Sequence, residues 1–245
     1  SETNTDPSLT VLSGNIGDPG VPTDNAYHVV QVQGDAGSEE RPRRFTGLTI
    51  AGGYADGPAH SRGAALRVEG AMAYLYNVVV RDHYTRKGGA IRATGADLRV
   101  SGSRFENNET EGKGGALFIQ GAQAWIGNTV FAHNRARKGG AVYVHSIGEV
   151  LSGDAPMVSF INTLMHNNWA SQSGGALYLN GSENLGAGRA TLTNCTLTEN
   201  EAGNRGGAIH ARTGTPIAAE SIIANSIVTN NVAPVGPDLS GRHLV

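Results

Sequence analysis

The sequence predicts an all-β fold, a right-handed parallel β-helix (solenoid) of about seven coils, and three observations lead there. First, the phrase Gly114-Gly115-Ala116-Leu117 recurs as Gly88-Gly89-Ala90-Ile91, Gly139-Gly140-Ala141-Val142, Gly174-Gly175-Ala176-Leu177 and Gly206-Gly207-Ala208-Ile209. A degenerate copy stands at Gly63-Ala64-Ala65-Leu66. The period is about 25 residues, lengthening to the low or middle thirties near the C-terminus, within the range of solenoid repeats. Second, another phrase alternates with the first. Asn77, Gly102, Asn128, Asn162, Asn194 and Asn225 align, and six positions on stand His83, Asn108, Asn134, Asn168, Asn200 and Asn231. Third, no segment places apolar residues at i, i+3, i+4 and i+7 over several turns, and the stretches between glycines are rich in Gly, Thr, Val and Asn.

Taken in order, residues 1–26 are polar and rich in Pro, Gly, Asp and Asn, with Leu9-Thr10-Val11-Leu12 as one short strand. Tyr27 to Val32 alternates as a strand, Gly34 to Arg44 is a charged loop, and Phe45 to Ile50 opens the regular coils. The chain reads as one domain over 1–245, with 1–44 an irregular N-terminal coil or cap and 45–241 the regular coils. Stacking at about 4.8 Å turns equivalent positions into ladders. Leu66, Ile91, Leu117, Val142, Leu177 and Ile209 form one inward ladder, and Leu75, Val100, Ile126, Phe160, Leu192 and Ile223 form a second. Val80, Phe105, Phe131, Met165, Leu197 and Val228 make a third apolar column. The Asn columns suit corners, where Asn tolerates left-handed backbone and its amide bonds to the Asn above and below. The glycine pairs supply positive φ and close backbone approach.

Composition narrows the function classes. Among 245 residues there are 35 glycines, 16% charged residues and a net charge of −2. Regular β-branched positions exclude a disordered chain, and the lack of a basic excess argues against a nucleic-acid partner. The single Cys195 falls in a column of small residues (Ser103, Thr129, Thr163, Ser226) and reads as a packed side chain. No apolar run approaches the ~18 residues of a membrane helix. A start at Ser1 is expected of a trimmed or processed chain.

The phrase Gly-Gly-Ala-(Ile/Leu/Val), followed by Phe-x-x-Asn, resembles the repeat of chlamydial polymorphic outer membrane proteins. More broadly it is similar to right-handed β-helix repeats of the pectate-lyase-like superfamily. Gly88–Ile91 with Phe105–Asn108, and Gly114–Leu117 with Phe131–Asn134, carry the likeness strictly; Met165, Leu197 and Val228 replace the Phe in later copies. Asn230 to Gly241 is similar to the closing coil of bacterial secreted β-helix proteins. The resemblance covers about residues 45–241. It implies a secreted or cell-surface segment of a larger bacterial protein, in a superfamily that includes adhesins, lyases, hydrolases and epimerases.

Function is sought on outward positions. After each glycine phrase comes a strip expected to face solvent: Arg67, Arg92, Phe118, Tyr143, Tyr178 and His210, with His145 in the next outward column. Stacked aromatic faces flanked by hydrogen-bonding groups suit a glycan, although such a ladder also stabilises a sheet by itself. The candidate ligand-binding set is Arg92, Phe118, Tyr143, His145, Tyr178 and His210. The insertions Ser146–Pro156, Gly181–Arg189 and Thr213–Pro216 leave the same edge and would wall a groove over this strip. A cationic ladder precedes the glycine corner: Arg62, Lys87, Lys113, Lys138 and Arg205, interrupted by Ser173. It suits an anionic polymer; the competing reading is local compensation by Asp82, Glu106, Glu109, Glu111, Glu199 and Glu201.

No catalytic residue and no metal-ligand set stands out. Asn15, Asp18, Asp24 and Asn25 form the one loop whose oxygens would suit calcium. The favoured reading is a non-enzymatic adhesin or structural scaffold binding glycans or other partners. A polysaccharide-active lyase or hydrolase beside the C-terminal loops is the alternative, and end-to-end self-association through open strand edges is a third reading.

Overall fold

We describe the protein from a computed structural model, which describes residues 6–18, 20–34, 41–145, 157–181, 188–214 and 218–245. Among the described residues every strand pairing is parallel, and the strands fall into three sheets of 14, 6 and 8 strands. The architecture is a right-handed parallel β-helix, as the repeat predicts.

The eight-stranded sheet follows the glycine corner: Val30–Gln33, Leu66–Glu69, Ile91–Thr94, Leu117–Gln120, Val142–His145, Leu177–Asn180, Ile209–Ala211 and Leu239–Ser240. Its ladder starts with Val30–Gln33, paired in register with Leu66–Glu69, ahead of the start at residue 45 that the repeat alone suggested. The 14-stranded sheet is bent. Two long strands, Arg43–Ala51 and Met72–Arg81, run through the bend; in later coils it splits each strand, for example into Asp97–Ser101 and Arg104–Glu106. At the bend every coil holds a residue with positive φ: Gly47, Asn77, Gly102, Asn128, Asn162, Asn194 and Asn225. The six-stranded sheet is the shortest side, with strands such as Glu109–Thr110 and Arg135–Lys138.

Side chains alternate in and out along each strand, so the inward columns fuse into one hydrophobic core running from Val32 to Ile223. All members of the first two inward ladders are buried, and Phe105 stacks on Phe131 with ring centroids 4.8 Å apart. Cys195 is buried in the small-residue column, its Sγ 3.4 Å from Thr193 O, and burial pushes its thiol pKa up.

The two Asn columns do different work, which refines the expectation that both are left-handed corner residues. At the second corner the left-handed residue is the one before the aligned Asn: Asp82, Asn107, His133, Asn167, Glu199 and Asn230. The aligned residues point inward and are buried. Asn108, Asn134, Asn168, Asn200 and Asn231 each donate from Nδ2 to the Oδ1 of the next, at 2.9–3.0 Å, and the last donates to Asp238 Oδ1 at 2.8 Å. Each Oδ1 from Asn134 to Asn231 also accepts a backbone N–H. His83 closes the other end. It accepts from Gly53 N at Nδ1 (2.9 Å) and lies 3.0 Å from Ile50 O at Nε2, so Nε2 carries the proton. Burial lowers its pKa to about 4, keeping the ring neutral. A polar column inside an apolar core is tolerated because its groups are satisfied.

The glycine corner needs both glycines, for separate reasons. The first of the pair has φ near +65° at Gly114, Gly139, Gly174 and Gly206, whereas in Gly88–Gly89 it is the second, Gly89, that does (φ 63°). At the second, a Cβ on Gly140 would collide with Gly175 O of the next coil, as one on Gly175 would with Gly207 O. No helix among the described residues is long and apolar enough to cross a membrane.

Candidate functional site

Outward from the eight-stranded sheet, the column Arg67–Arg92–Phe118–Tyr143–Tyr178–His210 is in register as the repeat demands. Its exposure is a correction to the sequence reading. Phe118 is 7%, Tyr143 1%, Tyr178 3% and His210 7% exposed, so the strip faces outward but is closed. The rings stack on one another, at 5.3 Å for Phe118–Tyr143 and 5.1 Å for Tyr143–Tyr178, both within 13° of parallel. Their faces are therefore occupied by each other. Burial raises the pKa of both Tyr143 and Tyr178 and lowers that of His210 to about 4, with the Arg205 and Lys138 charges adding to the latter.

The cationic ladder folds back onto this stack. Lys113 Nζ lies 4.9 Å from the Tyr143 centroid, Lys138 Nζ 5.2 Å from Tyr178, and the Arg92 guanidinium 4.6 Å from Phe118. Such contacts stabilise a desolvated cation by about 0.5–2 kcal/mol. Two sequence columns thus make one face. Lys87, Lys113 and Lys138 are all the lysines in the chain.

Register moves one member. The rung order is Arg62, Gly88, Lys113, Lys138, Ser173, Arg205, so Gly88 and not Lys87 occupies the slot between Arg62 and Lys113. A cleft of about 460 Å³ lies beside these rungs. Arg62, Arg86, Lys87, Arg92, Lys113 and Arg137 line it, together with Phe118, Gln120 and His145, against one carboxylate, Glu111. Glu111 already accepts the Tyr84 hydroxyl at 2.6 Å. Of the carboxylates expected to compensate the ladder, Asp82 pairs instead with Arg81 and Glu106 with Arg104. Among the described residues no ion pair reaches Arg62, Lys87, Lys113 or Lys138.

The electrostatics follow. Burial, then the charges of Lys138, Arg137, Arg212 and Arg62, lower the Lys113 pKa. Burial and the nearby Arg62 charge bring Arg92 down to about 10. His145 is held neutral by burial and by Lys113 and Arg92, with Asn180 Nδ2 donating to its Nδ1 at 2.8 Å. Arg92 donates from Nη2 to Gln120 Oε1 at 2.8 Å, while its buried Nη1 has no hydrogen-bond partner. An unsatisfied guanidinium N–H amid excess positive charge is what an incoming anion would satisfy.

Tyr178, His210, Lys138 and Arg205 lie on later rungs and do not line this cleft. Arg86 and Arg137 line it and were missed, although each directly precedes a ladder lysine. Of the loops expected to wall a groove, residues 146–156, 182–187 and 215–216 lie outside the described residues. In the N-terminal loop Asp24 Oδ2 accepts Asp18 N and Asp18 Oδ1 accepts Gly20 N, both at 2.9 Å, and Asn25 Nδ2 donates to Gly52 O. No group of three or more His, Cys, Asp or Glu able to hold a metal occurs among the described residues.

Residues 102–120 and 194–212 each run from the bend of the long sheet, past the amide ladder and the glycine corner, to the end of a strand in the eight-stranded sheet. Both match the Chlamydia polymorphic membrane protein (Chlamydia_PMP) repeat. Two segments of the chain are thus similar to that repeat. In the first Chlamydia-type repeat Phe105 fills the core; in the second, Leu197 takes the same inward place, so the repeat tolerates an aliphatic side chain there. No curated protein and no solved structure matches the chain.

Proposed function

We propose that this chain is a surface-exposed, non-enzymatic binding module, an adhesin or scaffold, whose cationic cleft takes the acidic groups of a polymer such as an acidic polysaccharide. The Chlamydia-type repeat supports the surface location, because the family is one of membrane proteins. The observation that carries the ligand class is the orphaned, buried Nη1 of Arg92 among six cationic side chains facing one carboxylate. The cleft lies along the coil stack, so an extended chain has room to run past Arg62, Lys87 and Lys113.

Polygalacturonate tests this against uncharged dextran. Wild type retains polygalacturonate and not dextran, and high salt releases it, because exposed charges are screened beyond about one Debye length. With each contact worth about 0.2–1 kcal/mol, Lys87→Gln with Lys113→Gln weakens binding roughly two- to thirty-fold. Equal retention of the wild type and the double variant contradicts the proposal.

A further inference from the structure

A second cleft, of about 730 Å³, lies on the outer face of the 14-stranded sheet, away from the glycine corner. Its core is the outward column Arg44–Tyr74–Arg99–Trp125, in which cations and aromatic rings alternate rung by rung. The Arg44 and Arg99 guanidiniums lie 5.6 and 5.2 Å from the Tyr74 centroid. Beside it runs Thr46–Tyr76–Ser101–Gly127.

Two features set this face apart from the closed aromatic strip. Tyr76 is 58% and Trp125 39% exposed, so these rings are open. Trp125 also lies over its own sheet. A Cβ on Gly127 would meet the six-membered ring of the indole at 2.5–3.0 Å, so the ring rests on the space that glycine leaves, with its other face outward. Tyr76 stands two rungs from Gly127, about 9.6 Å at the usual strand spacing, with the small Ser101 between them.

We propose that this cleft binds an extended, uncharged hexopyranose chain, with one sugar ring on the open face of Trp125 and another, further along, against Tyr76. The polar lining selects this occupant. Arg99 is ion-paired with Asp97 at 3.2 Å, which nearly neutralises the pair and sets a carboxylate acceptor beside a guanidinium donor. Vicinal hydroxyls both donate and accept, so they satisfy Asp97 and Arg99 together. A proline-rich peptide offers carbonyl acceptors only and has no donor for the lone pairs that Arg99 leaves on Asp97. The mostly apolar cleft with a few converging polar groups is the usual form of a small-ligand site. This site differs from the cationic cleft in location, charge and ligand.

Trp125 and Trp169 are the two tryptophans, so intrinsic fluorescence reports the site. The full chain is titrated with cellohexaose, chitohexaose and mannohexaose at high salt, where charge-driven binding at the other cleft is suppressed. At least one hexasaccharide shifts the tryptophan emission and saturates, and binding survives Lys87→Gln with Lys113→Gln. Trp125→Ala lowers affinity roughly ten-fold or more, the loss expected for one stacked ring. Gly127→Ala keeps the ring but lifts it off the sheet, and also weakens binding; Trp169→Phe does not. The proposal is overturned if none of the three hexasaccharides binds, if Trp125→Ala binds as wild type does, or if a polyproline decamer binds in their place.

Discussion

Replacing Asn168 by alanine tests the buried amide ladder where its cost can be counted. Four hydrogen bonds go. The side chain no longer donates to Phe131 O (3.0 Å) or Asn200 Oδ1 (2.9 Å), and no longer accepts from Asn134 N and Nδ2 (3.0 Å each). At about 1 kcal/mol net per bond the loss is about 4 kcal/mol, and the buried Asn134 N–H left without an acceptor keeps it from being smaller. For a chain of this size, that lowers the melting temperature by about 8–16 °C. Asn162→Ala is the control: Asn162 is exposed at a left-handed corner (φ 49°), with one side-chain bond of 3.3 Å between it and Asn128. Its cost is about 1 kcal/mol, mostly lost left-handed preference. Urea unfolding read by both circular dichroism and tryptophan fluorescence measures the difference, two probes being needed because stacked repeats can unfold in parts. A loss under about 1 kcal/mol for Asn168→Ala, or equal losses for the two variants, refutes the ladder's role.

Gly140→Ala, which drives a Cβ into Gly175 O, destabilises by about 3 kcal/mol or more, whereas Gly70→Ala, with nothing within 4 Å, costs only its left-handed backbone, about 1 kcal/mol; melting curves of the two separate crowding from φ. His83 makes stability acid-sensitive. Its pKa is about 4 folded against 6.5 as the reference value, so between these limits the unfolded chain binds the extra proton. The His83 contribution is therefore complete above about pH 6.5 and falls by roughly 3 kcal/mol as pH drops toward 4, on top of the like contribution of His210. His83→Asn, which places the ladder's own residue there, makes that slope shallower in denaturant titrations without abolishing it, and an unchanged slope counts against a buried neutral imidazole.

The repeat made the fold legible because a solenoid converts sequence period directly into register: Leu117 sits beside Ile91 and Val142 as the alignment requires. Exposure was less legible. Facing outward from a strand is a matter of parity, but Tyr143 is closed by neighbouring rings and by Lys113, contacts between coils that periodicity does not contain. The position of Lys87 was misread through one residue. Gly88 to Ile91 is one residue shorter than Lys113 to Leu117, so the rung slides onto glycine and Lys87 leaves the ladder. The two Asn columns looked equivalent because Asn suits both a left-handed corner and an inward amide ladder; only the φ of the preceding residue separates them. Tyr74-Leu75-Tyr76 alternates cleanly, but Tyr74, Tyr76 and Trp125 stand outside the repeated phrases, so the period alone does not mark them as one face.

The central claim, an anion-binding cleft at the glycine corner, is tested most directly by lysine footprinting. The chain has three lysines, so acetylation at each can be followed separately by mass spectrometry. Lys87 and Lys113 line the cleft, while Lys138 lies on the rung beyond it. With saturating polygalacturonate the account predicts slowed acetylation at Lys87 and Lys113 and a smaller change at Lys138, with no slowing by dextran. Equal rates at all three lysines with and without the acidic polymer would contradict it.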